Sequence, residues 1–278
     1  MCYSIDPEDY VPQYLGRLMA SGTFLLLFDG KRLVGLDRFG RKPDNSAWMS
    51  AGRIHPDYRG RGLINQMNEH AFALPEMAGV DTARLLISKD NTSSRRAAQK
   101  GGYHVCSAHS VFEWNPREKS RRAVGRLSGF EQTTAKKMRL ALAKSRSYSA
   151  MNGIVYFPPD YGRLTNDVLS QGQREGRLFI SPTAGPLLAR ERRERKGVDL
   201  LVQPFARTGE GAARVFDFVR ERSPGFAQVS VVDVPGVVRA YQKAGFTLSD
   251  WGAHVLVYEK SLKPSYAKSA RAARSRRA

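Results

Sequence analysis

A mixed α/β fold, each copy a mostly antiparallel sheet with flanking helices and two copies in tandem, is what this 278-residue sequence predicts. Three observations lead there. Asp29-Gly30 sits between the apolar runs TFLLLF and RLVGLDRF, the signature of a hairpin turn. Between Trp48 and Phe72 the chain passes from period-two alternation, through Pro56 and a glycine-rich turn, to helical spacing. AAQKGGY at residues 97–103 returns as AYQKAGF at residues 240–246, inside the same order of strands and helices.

Taken in order, residues 7–20 place Tyr10, Tyr14 and Leu18 on one helical face, and Ser21-Gly22 stops the helix. The hairpin comes next, then a third strand in which Trp48, Ser50, Gly52 and Ile54 alternate until Pro56, which cannot donate to a ladder. The turn Tyr58-Arg59-Gly60-Arg61-Gly62 follows, its glycines letting successive backbone N–H groups converge without Cβ interference. Leu63, Met67 and Phe72, with Ile64 and Ala71 beside them, then start a helix whose positive end points into the same space. Strand, turn and helix in that order can hold a pyrophosphate. A crossover strand, ARLLIS at residues 83–88, leads to Asn91, a short helix, the stop Gly101-Gly102 and a strand through Val111 to Trp114.

Residues 115–149 lack periodicity except for a short basic helix around Thr133 to Ala143. The second copy reads VDLLVQPF at 198–205, a turn and amphipathic helix in ARTGEGAARVFDFVRER, the strand AQVSVVDV, the helix VPGVVRAYQKAGF and the closing strand HVLVYEK. Its offset from the first is 149 residues at the glycine turns and 143 at the heptapeptides, a difference a short loop deletion accounts for. The expected organisation is a first domain at 1–115, a basic linker at 116–149, a divergent second domain at 150–262 and a basic, disordered tail at 263–278.

The formal net charge of +19 is concentrated. Residues 115–149 carry +8 and residues 263–278 carry +6, so the remainder is only mildly basic. Such segments attract nucleic acid by counterion release, but no stacking motif or zinc-ligand spacing accompanies them, so specific binding is not expected. Two cysteines, Cys2 and Cys106, are too few for a disulfide framework. The acidic start MCYSIDPEDY lacks signal-peptide character, and no apolar run is long enough to cross a bilayer. A cytoplasmic protein with no membrane association is expected.

HPDYRGRGL resembles the acyl-CoA pyrophosphate loop of the GNAT superfamily of N-acetyltransferases, whose pattern Gln/Arg-x-x-Gly-x-Gly/Ala is met by Arg59 and Gly62. Asn91, Lys100, Gly102 and Tyr103 fall on that family's second motif, with Ser94 in an alanine place. The resemblance implies acetyl-CoA as co-substrate, no metal, and a cofactor site made by Arg53, Ile54, His55, Arg59, Gly60, Arg61, Gly62, Leu63 and Asn91. The backbone at Arg53 to His55 would pair with the pantetheine arm and offer an N–H to the thioester oxygen.

Departures are equally specific. Ile64 stands where a small residue is usual, and Ala98 where the family often has a tyrosine that protonates the leaving thiolate. Tyr241 occupies that place in the second copy, as acid or as core aromatic, but there the turn Thr208-Gly209-Glu210-Gly211 has lost the arginine and gained an acid that repels phosphate. The strand before the loop has no carboxylate base. His55 is the nearest titratable group, with His104, His109 and Tyr103 as further candidates. The chain begins too close to its first helix for the family's opening strand and helix. A diffuse similarity to the histidine N-acetyltransferase-like group covers mainly the first 115 residues.

The expected function is acetyl transfer to a primary amine of a small molecule such as an amino acid. Alternatives are a non-catalytic module whose basic segments bind nucleic acid and a pseudo-enzyme that binds acyl-CoA. Acceptor, acyl length and oligomeric state do not follow from the sequence.

Overall fold

The computed structural model describes residues 9–115, 128–157, 160–194, 197–223, 225–250 and 253–262. The basic segment 116–127 and the tail 263–278 lie outside them. Helix α1 (Tyr10–Ala20) starts at Asp9, whose carboxylate caps the Val11 N–H at 2.9 Å. Strands β1 (Thr23–Asp29) and β2 (Arg32–Arg41) form the hairpin expected at Asp29-Gly30, Gly30 supplying the left-handed turn residue at φ +56°. The chain continues through β3 (Ser46–Ile54), α2 (Leu63–Phe72), β4 (Thr82–Ser88), α3 (Thr92–Lys100) and β5 (His104–Trp114). Then come β6 (Glu131–Gln132), α4 (Ala135–Ala143), α5 (Arg146–Ala150), β7 (Ile154–Phe157), β8 (Asp160–Arg163) and α6 (Asn166–Arg174). The remainder is β9 (Leu178–Ser181), β10 (Gly185–Glu194), β11 (Gly197–Pro204), α7 (Gly209–Arg222), β12 (Ala227–Val232), α8 (Pro235–Ala244), β13 (Thr247–Leu248) and β14 (His254–Ser261).

The chain divides into two compact units that do not follow its linear order. The first takes Met1–Leu85, Ser93–His104 and Tyr258–Ala278. Its sheet runs β1, β2, β3, β4 and then the end of β14, with the Leu262 N–H donating to Asp81 O at 2.9 Å. β1, β2 and β3 are antiparallel, whereas β3 and β4 pair in parallel only over Ser46–Trp48 and Thr82–Arg84. Alternation along β2 sorts its residues between two helices. Gly35 faces α2, its absent Cβ making room for Met67 Sδ, and Leu36 joins Val11 and Ala51 under α1. Arg38, also turned to α1, donates to Leu18 O, Ser21 Oγ and Ser50 Oγ at 2.9, 2.8 and 3.0 Å. Arg84 is buried between Asp44 (2.5 Å) and Glu259 (2.7 Å), which ties the returning strand into this unit.

The second unit takes Leu86–Thr92 and Val105–Val257. Its strand order is the start of β14, then β5, β12, β11, β10, β9 and β6, with β13 also on β5. The β7–β8 hairpin is a separate two-stranded sheet. Phe112, Phe216, Phe218, Tyr241 and Val219 fill its core against helices α7 and α8. Residues 128–181, where the sequence shows little periodicity, are regular here. Helix α4 is the short basic helix expected around Thr133 to Ala143; it buries Met138 and Leu142 deeply and turns its lysines outward. Among the described residues no helix is long and apolar enough to cross a membrane.

Candidate functional site

The turn at the head of α2 is built by two left-handed glycines. Gly60 lies at φ +78° and Gly62 at φ +73°, and among the described residues, adjacent ones aside, no atom stands within 4 Å of where a Cβ would project from either. The space above the turn is therefore open. Gly62 is the N-cap of α2 and offers no side-chain cap, so the N–H groups of Gly62, Leu63 and Ile64 have no hydrogen-bond partner among the described residues. Three free amides at the positive end of a ten-residue helix favour an anion. Ile64 fits because Gly52 has no side chain. Its Cδ1 lies 3.0 Å from where the Gly52 Cβ would be.

The arginines border this turn. Arg59 Nε donates to Ile54 O at 3.1 Å, and Arg61 donates to Asp57 O at 3.0 Å and lies over the Tyr58 ring at 4.9 Å. Both side chains are exposed, with guanidinium donors left over for a phosphate. Arg53 is engaged otherwise. Its guanidinium makes a two-point pair with Asp9 at 2.9 and 3.1 Å and leaves only its backbone facing the strand edge.

Pairing of β3 with β4 stops at Trp48, yet β3 runs on to Ile54. The His55 N–H is consumed by Val34 O at 2.8 Å. Alternation along an antiparallel ladder then turns the Ile54 N–H to the opposite edge, making it the donor of this segment that could meet a carbonyl oxygen. The His55 ring is also occupied. Arg32, which can only donate, reaches Nε2 at 3.1 Å; a neutral ring that accepts there carries its proton on Nδ1, which stands 3.6 Å from Asp57 Oδ2. A lone pair held by a guanidinium is poorly placed to take a proton from an amine.

β3 also carries a bulge. Leu36 pairs with Arg53 and Arg38 with Ser50, so Ala51 and Gly52 together oppose Asp37. Ala51 is held at φ +60°, which costs a non-glycine residue about 1–3 kcal/mol and marks a strand bent for a purpose. Asp37 is buried; one oxygen accepts the Arg38 N–H at 2.9 Å and the other has no partner among the described residues. Burial pushes its carboxyl up to about 7 against the opposing pull of that N–H. Nothing in RLVGLDRFG singles this residue out, because its environment is made by a helix 26 residues later in the chain.

Asn91 follows β4 in the segment Leu86–Thr92, which belongs to the second unit, its N–H bonded to Ser88 O at 3.0 Å. Tyr241 is fully buried in the second core, stacked on Phe112 at 5.8 Å, with its hydroxyl 3.5 Å from Ala206 O and burial pushing its ionisation up. His109 is enclosed between Ser107 and Ser230 hydroxyls, and burial pulls its ring down to about 3. His104 is exposed, and Tyr103 is buried with a bare hydroxyl.

The second copy of the turn is built differently. Gly209 and Gly211 do not adopt left-handed conformations, and the Thr208 hydroxyl caps the Gly211 N–H at 3.0 Å. The parallel pairing of β11 with β12 ends at Val202 and Val229, and the gap beyond is filled from within. Gln203 donates to Ser230 O at 2.7 Å and accepts the Tyr156 N–H at 3.0 Å, while the Tyr161 hydroxyl lies 3.2 Å from Ser230 Oγ. An arm inserted there would displace buried, satisfied polar groups. Among the described residues no cluster of histidine, cysteine, aspartate or glutamate could hold a metal.

No family model matches the chain. It has the fold of GCN5-related N-acetyltransferases: one from Sphaerobacter thermophilus superposes with TM-score 0.59 at 16% identity, over 95% of this chain and 90% of that one. A Thermoplasma acidophilum protein assigned as an acetyltransferase superposes with TM-score 0.54 at 15% identity, over 91% of this chain and 84% of its own. In sequence, the L-2,4-diaminobutyric acid acetyltransferase of Vibrio cholerae is 29% identical over 101 residues, 36% of this chain. The match spans 58% of that relative's length.

Proposed function

We propose that the chain is an acetyl-CoA-dependent N-acetyltransferase acting on a primary amine of a small molecule, with its cofactor site in the first unit. The observation that carries this reading is the contrast between the two glycine turns of one polypeptide. One presents uncapped amides beneath open space at Gly60 and Gly62; the other is capped by Thr208 and plugged by Gln203.

The thioester supplies the acetyl group, and the protein supplies grip and orientation. The amides of Gly62, Leu63 and Ile64 hold the pyrophosphate, Arg59 and Arg61 add charge, and the Ile54 N–H polarises the acetyl carbonyl. His55 serves as a scaffold locked by Arg32 and Asp57, and Tyr241 as a core aromatic. The similarity to a diaminobutyrate acetyltransferase favours an amino acid with a free amine as acceptor.

The test is acceptor-dependent thiol release from acetyl-CoA across a panel of amino acids, 2,4-diaminobutyrate and polyamines among them. Release with at least one acceptor is expected. Tight acetyl-CoA binding without release for any acceptor would make the chain a pseudo-enzyme, and absence of both would overturn the reading.

A further inference from the structure

We propose that Asp37 is the proton acceptor for the amine, an assignment resting on the acyltransferase reading above. Its carboxyl lies on the α2 side of β2, directly opposite the bulge at Ala51 and Gly52. Because Gly52 has no side chain, Oδ1 sits 3.5 Å from where that Cβ would be, against the backbone of β3. Ile54, whose N–H is turned to the open edge, is two residues further along the same strand.

Only one of the two carboxyl oxygens serves the fold, by accepting the Arg38 N–H. Asp9 and Asp44, also buried in this unit, have their oxygens taken by Arg53 and Arg84 at 2.9 and 2.5 Å. Asp37 keeps one oxygen bare in the interior, where an unmade hydrogen bond is costly. Among the described residues, Asn68 Oδ1 on α2 and the Tyr103 hydroxyl after α3 are also buried in this unit without a partner. Burial, then the charges of Asp37 and Glu69, push the Tyr103 hydroxyl up. Arg38, the neighbouring cation, sends its guanidinium to the opposite face of the strand. An acceptor with no partner among the described residues, set opposite a bulge, is a place where a water can deliver a transferable proton.

The step balances. An ammonium acceptor loses one proton through water to Asp37 Oδ2. The freed nitrogen lone pair forms the C–N bond to the acetyl carbon as the C–S bond breaks, and that bonding pair leaves on sulfur. The second proton lost by nitrogen ends on sulfur, and Asp37 returns its own to solvent.

The experiment compares wild type with Asp37→Asn, which keeps shape and removes the base. With the best acceptor of the panel, turnover should fall 10²–10⁴-fold while acetyl-CoA affinity stays within about twofold. The wild-type kcat/KM profile should rise through a limb near pH 7 that the variant lacks. Without any ligand, the variant should melt at a higher temperature than wild type at pH 8, since no charge is then forced into the interior. Wild-type turnover with the same limb, or a lower melting temperature at pH 8, would overturn the assignment. Gly52→Ala, which pushes a methyl toward the carboxyl and Ile64, is the second variant: slowed turnover at unchanged acetyl-CoA affinity supports the route, and unchanged turnover argues against it. If wild type transfers to no amine at all, the acyltransferase reading falls and takes the base role with it.

Discussion

Replacing both Gly60 and Gly62 with valine separates the conformational demand of the turn from its surroundings. Both glycines lie in the left-handed region with nothing within 4 Å of a projected Cβ, so the substitution creates strain without a clash. Left-handed backbone costs an ordinary L-residue about 1–2 kcal/mol, and more for a β-branched one. The chain can relieve part of that strain by relaxing the turn, and stability should fall by about 2–4 kcal/mol. Relaxation disperses the amides, however. A hydrogen bond to a charged group contributes about 1.5–3 kcal/mol, so losing two of the three from Gly62, Leu63 and Ile64 removes about 3–6 kcal/mol. The dissociation constant for acetyl-CoA should then rise roughly 10²–10⁴-fold by calorimetry at fixed ionic strength. Gly79→Val is the control, because Gly79 has the same left-handed φ of +74° and the same open space outside the turn. A double variant binding within threefold of wild type, or a control that loses as much, would refute the reasoning.

Thr208→Ala removes the cap of α7 and should cost about 1 kcal/mol of stability in denaturant titration, with acetyl-CoA binding unchanged. Arg84→Leu strands the buried carboxylates of Asp44 and Glu259. It should cost about 3–5 kcal/mol, read as a melting temperature lower by roughly 6–20 °C. The pH dependence of stability has two opposing parts. Asp37 binds its proton more tightly folded than unfolded, so its part falls as pH rises from about 4 to about 7. His109 binds its proton less tightly when folded, so its part is present above 6.5 and is lost as pH falls toward 3. Asp37→Asn should therefore gain nothing at pH 4 and up to about 4 kcal/mol by pH 8 in urea unfolding. A gain that does not depend on pH would contradict this.

The parts legible in the sequence are those whose physics is local. The Asp29-Gly30 hairpin and the strand, turn and helix around Gly60 and Gly62 depend on neighbours a few residues away, where left-handed glycine and apolar period leave direct marks. In sequence Tyr241 reads equally as acid or core aromatic, because its surroundings, Phe112 and Ala206, lie far away along the chain. Asp37 carries no mark at all. Its desolvation comes from α2, and its position at a bulge comes from the register of β3. The return of Tyr258–Ser261 to the first unit is equally non-local, since HVLVYEK reads as the closing strand of whatever precedes it. Beyond the helix around Thr133 to Ala143, the elements up to Ser181 leave little trace in the sequence because their helices bury one to three residues each and their strands are two to four residues long.

The two glycine turns place opposite demands on one titration. If the free amides above Gly62 are the cofactor site and the gap between β11 and β12 is closed by Gln203, calorimetry of the wild-type chain with acetyl-CoA should saturate at one molecule per chain. Two molecules per chain, or no saturable binding, would contradict the account.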